Sequence, residues 1–136
     1  MSDAKSDFLE NASLNHNLGT SAFSSPSATF LGLFTGNPGD TNSGNYEISG
    51  NGYAREDINF TTATSGSATG PVTADGAIEF TASGGNWGTI THFAIFTAVT
   101  GGNMLYYGQL SDSNGKTVSD GDTLRFAVNS ITITEA

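Results

Sequence analysis

Two histidines, a few close carboxylate pairs, two Asp/Asn/Gly loops and four aromatic side chains have the types and spacings with which this chain could do chemistry. His92 lies between Thr91 and Phe93 in a strand-like run, where an imidazole more readily hydrogen-bonds a neighbouring loop than transfers protons. Neither His92 nor His16 has an acidic partner at a suggestive spacing. No Gly-x-Ser-x-Gly turn presents a serine, so nucleophilic catalysis finds no support. Glu56 and Asp57 are adjacent, and in a strand they point to opposite faces. Asp120 and Asp122 flank Gly121, the pattern of a turn in which Asp side chains bond nearby amides. No convergent acid pair of the kind that cleaves glycosides can be assembled.

The segments Asp40-x-Asn42-x-Gly44 and Asp112-x-Asn114-Gly115 space oxygen ligands as calcium loops do. Neither has both the later glycine and the distal glutamate that an EF-hand loop requires. Gly50-Asn51-Gly52 lacks the lysine and the further glycine of a phosphate-cradling loop. The residues therefore imply no catalytic site, no metal site and no cofactor. Tyr53, Trp87, Tyr106 and Tyr107 would stack on sugar rings if exposed, and core packing is the competing role. Tyr106 and Tyr107 are neighbours in a strand, so one ring faces inward and the other outward, towards a sugar or an adjoining subunit.

The elements that must position these groups are organised around Trp87–Leu110. In Thr89–Thr97 the residues Thr91, Phe93, Ile95 and Thr97 share one strand face, and Ile90, His92, Ala94 and Phe96 share the other. Gly101-Gly102 marks the turn of a hairpin. Both faces are largely apolar, which predicts a central strand covered on each side by a second sheet or a partner subunit. Ala28–Thr35 reads as a second buried strand and Gly36–Asn45 as an exposed loop. In Tyr53–Phe60 the inward residues Ala54, Ile58 and Phe60 are interrupted by Glu56, as at a bulge or an edge. Thr61–Gly76 has little to bury and is expected to be mobile or interacting. Ala77–Thr81, Lys116–Ser119, Leu124–Val128 and Ile131–Thr134 complete eight or nine short strands. The expected fold is an all-β, single-domain β-sandwich or jelly roll over residues 27–136.

Residues 1–26 form a separate arm with a short helix. Its expected start is Asp7, with Glu10 reaching back as in a capping box, and its expected end is Gly19. Phe8, Leu9, Leu14 and Leu18 lie on broad apolar faces of this helix, which packs either on its own β domain or on another subunit. With Tyr106 and Tyr107 they are the candidate subunit or shell contacts.

Composition narrows the partners. The 136 residues suit one domain. Four basic residues against thirteen acidic ones give a net charge of −9, the wrong sign for neutralising phosphates, so nucleic acid is excluded as a partner. No apolar stretch has a signal-peptide or membrane-spanning pattern, which predicts a soluble chain without a membrane partner. There is no cysteine, so packing alone must stabilise the fold.

Five pieces in this order, FLENASLNHNLG, ATFLGLFTGNPGD, SGNGYAREDINF, WGTITHFAIFTAVTGGNMLYYGQL and VSDGDTLRFAVNSITI, carry a resemblance to small structural proteins of tailed-bacteriophage virions. Those relatives are labelled tail-fibre or head-decoration (cement) proteins. The resemblance implies a non-enzymatic virion component made in the host cytoplasm, with the major capsid protein or other virion proteins as partners. Chain length favours a decoration protein that caps the outer shell as a homo-oligomer, a trimer, because a lone domain has no shaft. The alternative is a tail-fibre or receptor-binding module that holds host glycans with exposed aromatics and polar loops.

Overall fold

The computed structural model describes residues 2–112 and 114–135, so Met1 of the arm, Ser113 of the expected 111–115 turn and Ala136 lie outside the described residues. In chain order the elements are β1 (Ser2–Lys5), α1 (Asp7–Asn17), β2 (Phe30–Phe34), β3 (Glu56–Asp57), β4 (Ser67–Gly70), β5 (Ile78–Thr81), β6 (Gly88–Ile90), β7 (His92–Phe96), β8 (Met104–Gln109), β9 (Lys116–Val118), β10 (Thr123–Phe126) and β11 (Ile131–Thr134). The two apolar pentapeptides FLGLF and HFAIF meet at the centre. They pair antiparallel from Phe30 opposite Phe96 to Phe34 opposite His92. Around them a five-stranded sheet runs in the order β1-β8-β7-β2-β3. Three antiparallel two-stranded ribbons, β5 with β10, β4 with β11 and β6 with β9, supply the second layer.

Alternation along the central strands decides what each face buries. Leu31, Leu33, Phe93 and Ile95 point into the larger core, where they belong to one cluster with Phe80, Ile90, Val118, Phe126 and Ile131 of the ribbons. Phe34, Ala94 and Phe96 point the other way and form a smaller core with Met104 and the half-buried Tyr107. The result is the all-β sandwich with a short N-terminal helix that the strand spacing implies. The chain covers both faces of its central strand, so that strand's apolar character gives no argument for a partner subunit.

Trp87 belongs to the core and is no exposed platform for a sugar. It is 7% exposed, its ring stands edge-on to Tyr53 at 5.6 Å between centroids, and its indole N–H donates to the Asn51 carbonyl at 3.0 Å. Tyr53 stacks in turn on Phe80, and Phe80 meets Phe126 edge-on. Such ring pairs add to the apolar area that they bury.

Several expectations change. The expected single strand Thr89–Thr97 is two, because the chain leaves the β6–β9 ribbon at Thr91 and enters the main sheet at His92. The Thr91 N–H donates to the Phe34 carbonyl at 2.9 Å and its own carbonyl accepts from Leu110, which steadies the crossover. Thr61–Gly76 is not a bare excursion: Ser67–Gly70 pairs with β11, and the Asp75 carboxylate accepts from the Asn59 backbone and side chain. The helix cap is Ser6 and not Asp7, since the Ser6 hydroxyl accepts from the Leu9 N–H at 3.2 Å, and Asp7 is the first helical residue. No capping box forms, for the third residue after Ser6 is Leu9. The helix ends at Asn17 with Leu18 as its cap, and the expected Gly19 lies just beyond, at φ 77°, while Leu18, Gly19 and Thr20 donate to carbonyls of the last turn.

The arm is stitched to the sheet. Ser2–Lys5 pairs with Tyr106–Gln109 as an edge strand, Lys5 makes an ion pair with Glu135 at 3.0 Å, and Leu9 is buried in the larger core. Between Ile95 and Phe96 the β7–β8 register slips, leaving Leu105 without an opposite residue. That bulge turns Leu105 and Tyr106 together towards the larger core and leaves Met104 and Tyr107 to the smaller one.

Trp87→Ala is expected to lower stability by about 3–5 kcal/mol, because it empties a ring-lined site and leaves the Asn51 carbonyl without its indole donor. Equilibrium unfolding in urea measures this, and an unchanged midpoint would show that the ring contributes nothing to the core.

Candidate functional site

The polar centre of the molecule lies on the smaller core, and it begins with a glycine. Gly32 sits in the middle of β2, where a Cβ would meet the Phe96 ring at 3.0 Å, a Glu47 carboxylate oxygen at 3.1 Å and the Tyr53 hydroxyl at 3.3 Å. Its missing side chain leaves room for those three groups. Glu47 reaches that place because residues 46–48 run beside β2: Thr35 donates to the Tyr46 carbonyl and Ile48 to the Leu33 carbonyl. The Tyr53 hydroxyl accepts from the Leu33 N–H at 3.0 Å and donates to Glu47 Oε2 at 2.7 Å. Burial and the Glu47 carboxylate raise the pKa of that phenol, so it stays protonated.

Arg55 closes the arrangement. Its Nε and Nη2 grip the two Glu47 oxygens at 2.7 and 2.8 Å, and Nη1 donates to the Ala98 and Gly101 carbonyls at 2.9 and 2.8 Å. The guanidinium carbon lies 3.5 Å from the centre of the Phe96 ring. Only 8% of the Arg55 side chain and 21% of the Glu47 side chain remain exposed. A planar fork with a fixed charge is the group that can do all of this at once. Nothing in the immediate sequence marks either residue. The findable signal is the glycine inside an otherwise bulky apolar strand, which announces a close approach.

Beside the clamp lies an open cleft of about 400 Å³, lined by Arg55 itself and by residues of several other segments. Asp7 and Phe8 come from the start of α1, Asp40 to Asn42 from the loop after β2, and Gly101 to Asn103 from the β7–β8 turn, with Phe96 and Met104 below. The Asp40 carbonyl accepts from the Asp7 N–H at 3.0 Å, and the Asp40 carboxylate accepts from the Tyr107 hydroxyl. That bond, then burial and the carboxylate's charge, push the Tyr107 pKa up to about 12. Asp40 is therefore engaged with its own chain. Among the described residues no group of three metal-ligating side chains comes together, and Asp112 and Asp122 accept from backbone amides of their own turns.

The other expected contact residues are dispersed. Phe8 is 38% exposed and meets Phe23 edge-on, whereas Leu14 and Leu18 are 58% and 73% exposed on the outer side of α1. Tyr106 packs on the larger core and donates to Glu135 at 2.6 Å beside a second, more apolar groove of about 420 Å³ between β4, β11 and β8. The two tyrosines do face opposite ways, but both rings are half-buried and both hydroxyls are bonded to carboxylates. His16 accepts from the Phe23 N–H at 3.1 Å and so ties the linker to the helix. His92 bonds only its neighbour Thr91 through Nδ1, at 2.8 Å, and burial lowers its pKa. Neither imidazole is placed with an acid partner.

Residues 4–134 match the model of a protein family described as podophage GP4 fiber I protein gp80. No curated protein matches the chain.

Two measurements follow from this geometry. Arg55→Ala would leave the Glu47 carboxylate largely buried without its partner and is expected to cost about 3–5 kcal/mol in urea unfolding, whereas the double variant Glu47→Gln/Arg55→Met should lose less than the two single changes added. A loss within about 0.5 kcal/mol for Arg55→Ala would place the clamp among ordinary surface pairs. His92, held neutral by burial, contributes stability that is present above its ordinary pKa of 6.5 and lost as pH falls through its lower folded value. The melting temperature should accordingly fall on acidification through that window, and His92→Asn should flatten the slope.

Proposed function

The chain belongs to the podophage GP4 fiber I protein gp80 family, and from that premise we propose that it is a non-enzymatic component of a podophage fibre. The observation that carries this reading is the extent of the match. Residues 4–134 take in the edge strand from Ala4, the helix and both layers of the sandwich, so the likeness spans the whole architecture and not one shared fragment. Decoration of the shell rests on chain length alone, whereas the description of the family speaks of a fibre.

The side chains are consistent with a structural task. The carboxylates that line the cleft are those of Asp7 and Asp40, and Asp40 accepts from Tyr107. Hydrolysis of a glycoside needs two carboxyl groups free to exchange protons or attack, which is a poor fit to this pair. A fibre made from a module of this size requires stacking on copies of itself or on other virion proteins. The outward Leu14 and Leu18 on α1 and the apolar groove beside Tyr106 offer surfaces for such contacts, and a homotrimer is the arrangement favoured by this reading.

Immunogold labelling of intact particles with antibody raised against this chain tests the proposal. Label on the fibres is expected. Label distributed over the head would overturn the fibre reading and restore shell decoration.

A further inference from the structure

Two asparagines of this chain are followed by glycine, Asn51 in the turn before Tyr53 and Asn114 in the turn before β9. An Asn-Gly pair is open to attack by its own backbone, because glycine has no Cβ to keep its amide nitrogen away from the preceding carboxamide. The fold treats the two pairs differently. The Asn51 carbonyl accepts from the Ser83 N–H at 2.9 Å and from the Trp87 indole at 3.0 Å, and its Nδ2 donates to the Asn86 carbonyl at 3.2 Å. The Tyr53 N–H closes the turn on the Gly50 carbonyl at 3.1 Å, and the Asn51 carboxamide lies against Gly85, where a Cβ would meet it at 2.7 Å. Asn114 is exposed, and among the described residues its carboxamide makes no hydrogen bond. Its backbone is held only locally, by bonds from the Asn114 N–H to the Asp112 carboxylate at 3.0 Å and from the Gly115 N–H to the Asp112 carbonyl at 2.9 Å.

We propose that Asn114 is a site of spontaneous deamidation, and that the fold directs the reaction there by holding Asn51 closed. The Gly115 amide nitrogen gives up its proton and bonds to the Asn114 Cγ, while the Cγ–Nδ2 bond breaks and Nδ2 leaves with a proton as ammonia. Water then opens the resulting succinimide at one of its two carbonyls. Opening at the main-chain carbonyl leaves isoaspartate, whose backbone runs on through the former side chain, and opening at the other leaves aspartate. Ring closure requires the local bonds to part, so its rate follows the population of the open form. At Asn114 the opening releases Gly115 from Asp112, whereas at Asn51 it also detaches the Trp87 indole of the core. The product matters to the fold. Gly115 stands so near the β6–β7 crossover that a Cβ would meet the Ile90 carbonyl at 2.5 Å and the Thr89 and Thr91 methyls at 2.9 and 3.0 Å. Isoaspartate adds a carbon to the main chain just before that contact. The next residue, Lys116, pairs with Ile90 at the head of the ribbon that carries Val118 into the larger core. The inference goes beyond the fibre reading and does not depend on it.

Storage of the full chain in warm, mildly alkaline buffer, followed by peptide mapping with electron-transfer mass spectrometry, reads the two positions separately. In the native chain Asn114 should convert at least about tenfold faster than Asn51, and urea should bring the two rates together, since only the fold separates them. Fully converted protein should melt about 4 °C lower than fresh protein. Asn114→Gln, whose longer side chain closes the ring poorly, should begin at the wild-type melting temperature and keep it through storage. Asn114→Asp carries the new charge without the extra main-chain carbon and should melt close to wild type. Conversion of Asn51 as fast as Asn114 in the native chain, or conversion of Asn114 no faster than Asn103, which precedes Met104, would overturn the site. A melting temperature that drifts equally in Asn114→Gln would overturn its hold on the β6–β9 ribbon.

Discussion

A guanidinium lying on an aromatic ring keeps the second face of the central sheet closed. The larger core is covered by three ribbons, but the smaller one has no comparable layer: Phe34, Ala94, Phe96 and Met104 are sealed by loops and by Arg55. A loop can cover apolar surface only if its own polar groups are satisfied. Arg55 meets that condition for two segments at once, bonding Glu47 beside β2 and the carbonyls of Ala98 and Gly101 in the β7–β8 turn. Tyr53 extends the same network into the β2 backbone. Among the described residues no buried side-chain polar atom lacks a partner, which is why a chain without disulfides can carry so much loop.

The same closure shapes the surface that other molecules meet. With both faces of β7 covered, the outer side of α1, the groove beside Tyr106 and the bowl between α1 and the β7–β8 turn are among the features open to association. The first two are apolar and suit protein neighbours. The third mixes carboxylate, carboxamide and aromatic groups. The turn that lines the bowl is also a turn that Arg55 binds. Positions 101–103 are thus held by the interaction that closes the core, so the bowl inherits its shape from the fold and not from a mobile loop.

What the sequence determined by itself was whatever depends on local steric rules. The period of two in Phe93–Phe96, apolar on both faces, announces a central strand. Gly101-Gly102 and the Asp-Gly-Asp at 120–122 announce turns, Gly19 a helix end, and the interruption at Glu56 an edge; each is present where these rules put it. What only the tertiary structure decided depends on pairs far apart in the chain. Arg55 finds Phe96 and Ala98 across some forty residues, Trp87 finds the Asn51 carbonyl, and Asp7 comes beside Asn42 and Asn103 through the docking of β1 on β8. Even the helix cap belongs to this second group: Ser6 both caps α1 and donates to the Met104 and Leu105 carbonyls of β8, while Asp7 looks the better cap by sequence. The physical reason is that periodicity and turn chemistry are set by neighbours within a few bonds. The partners of a charge or a carboxamide are set by sheet register and layer packing, and those exist only once the whole chain has folded.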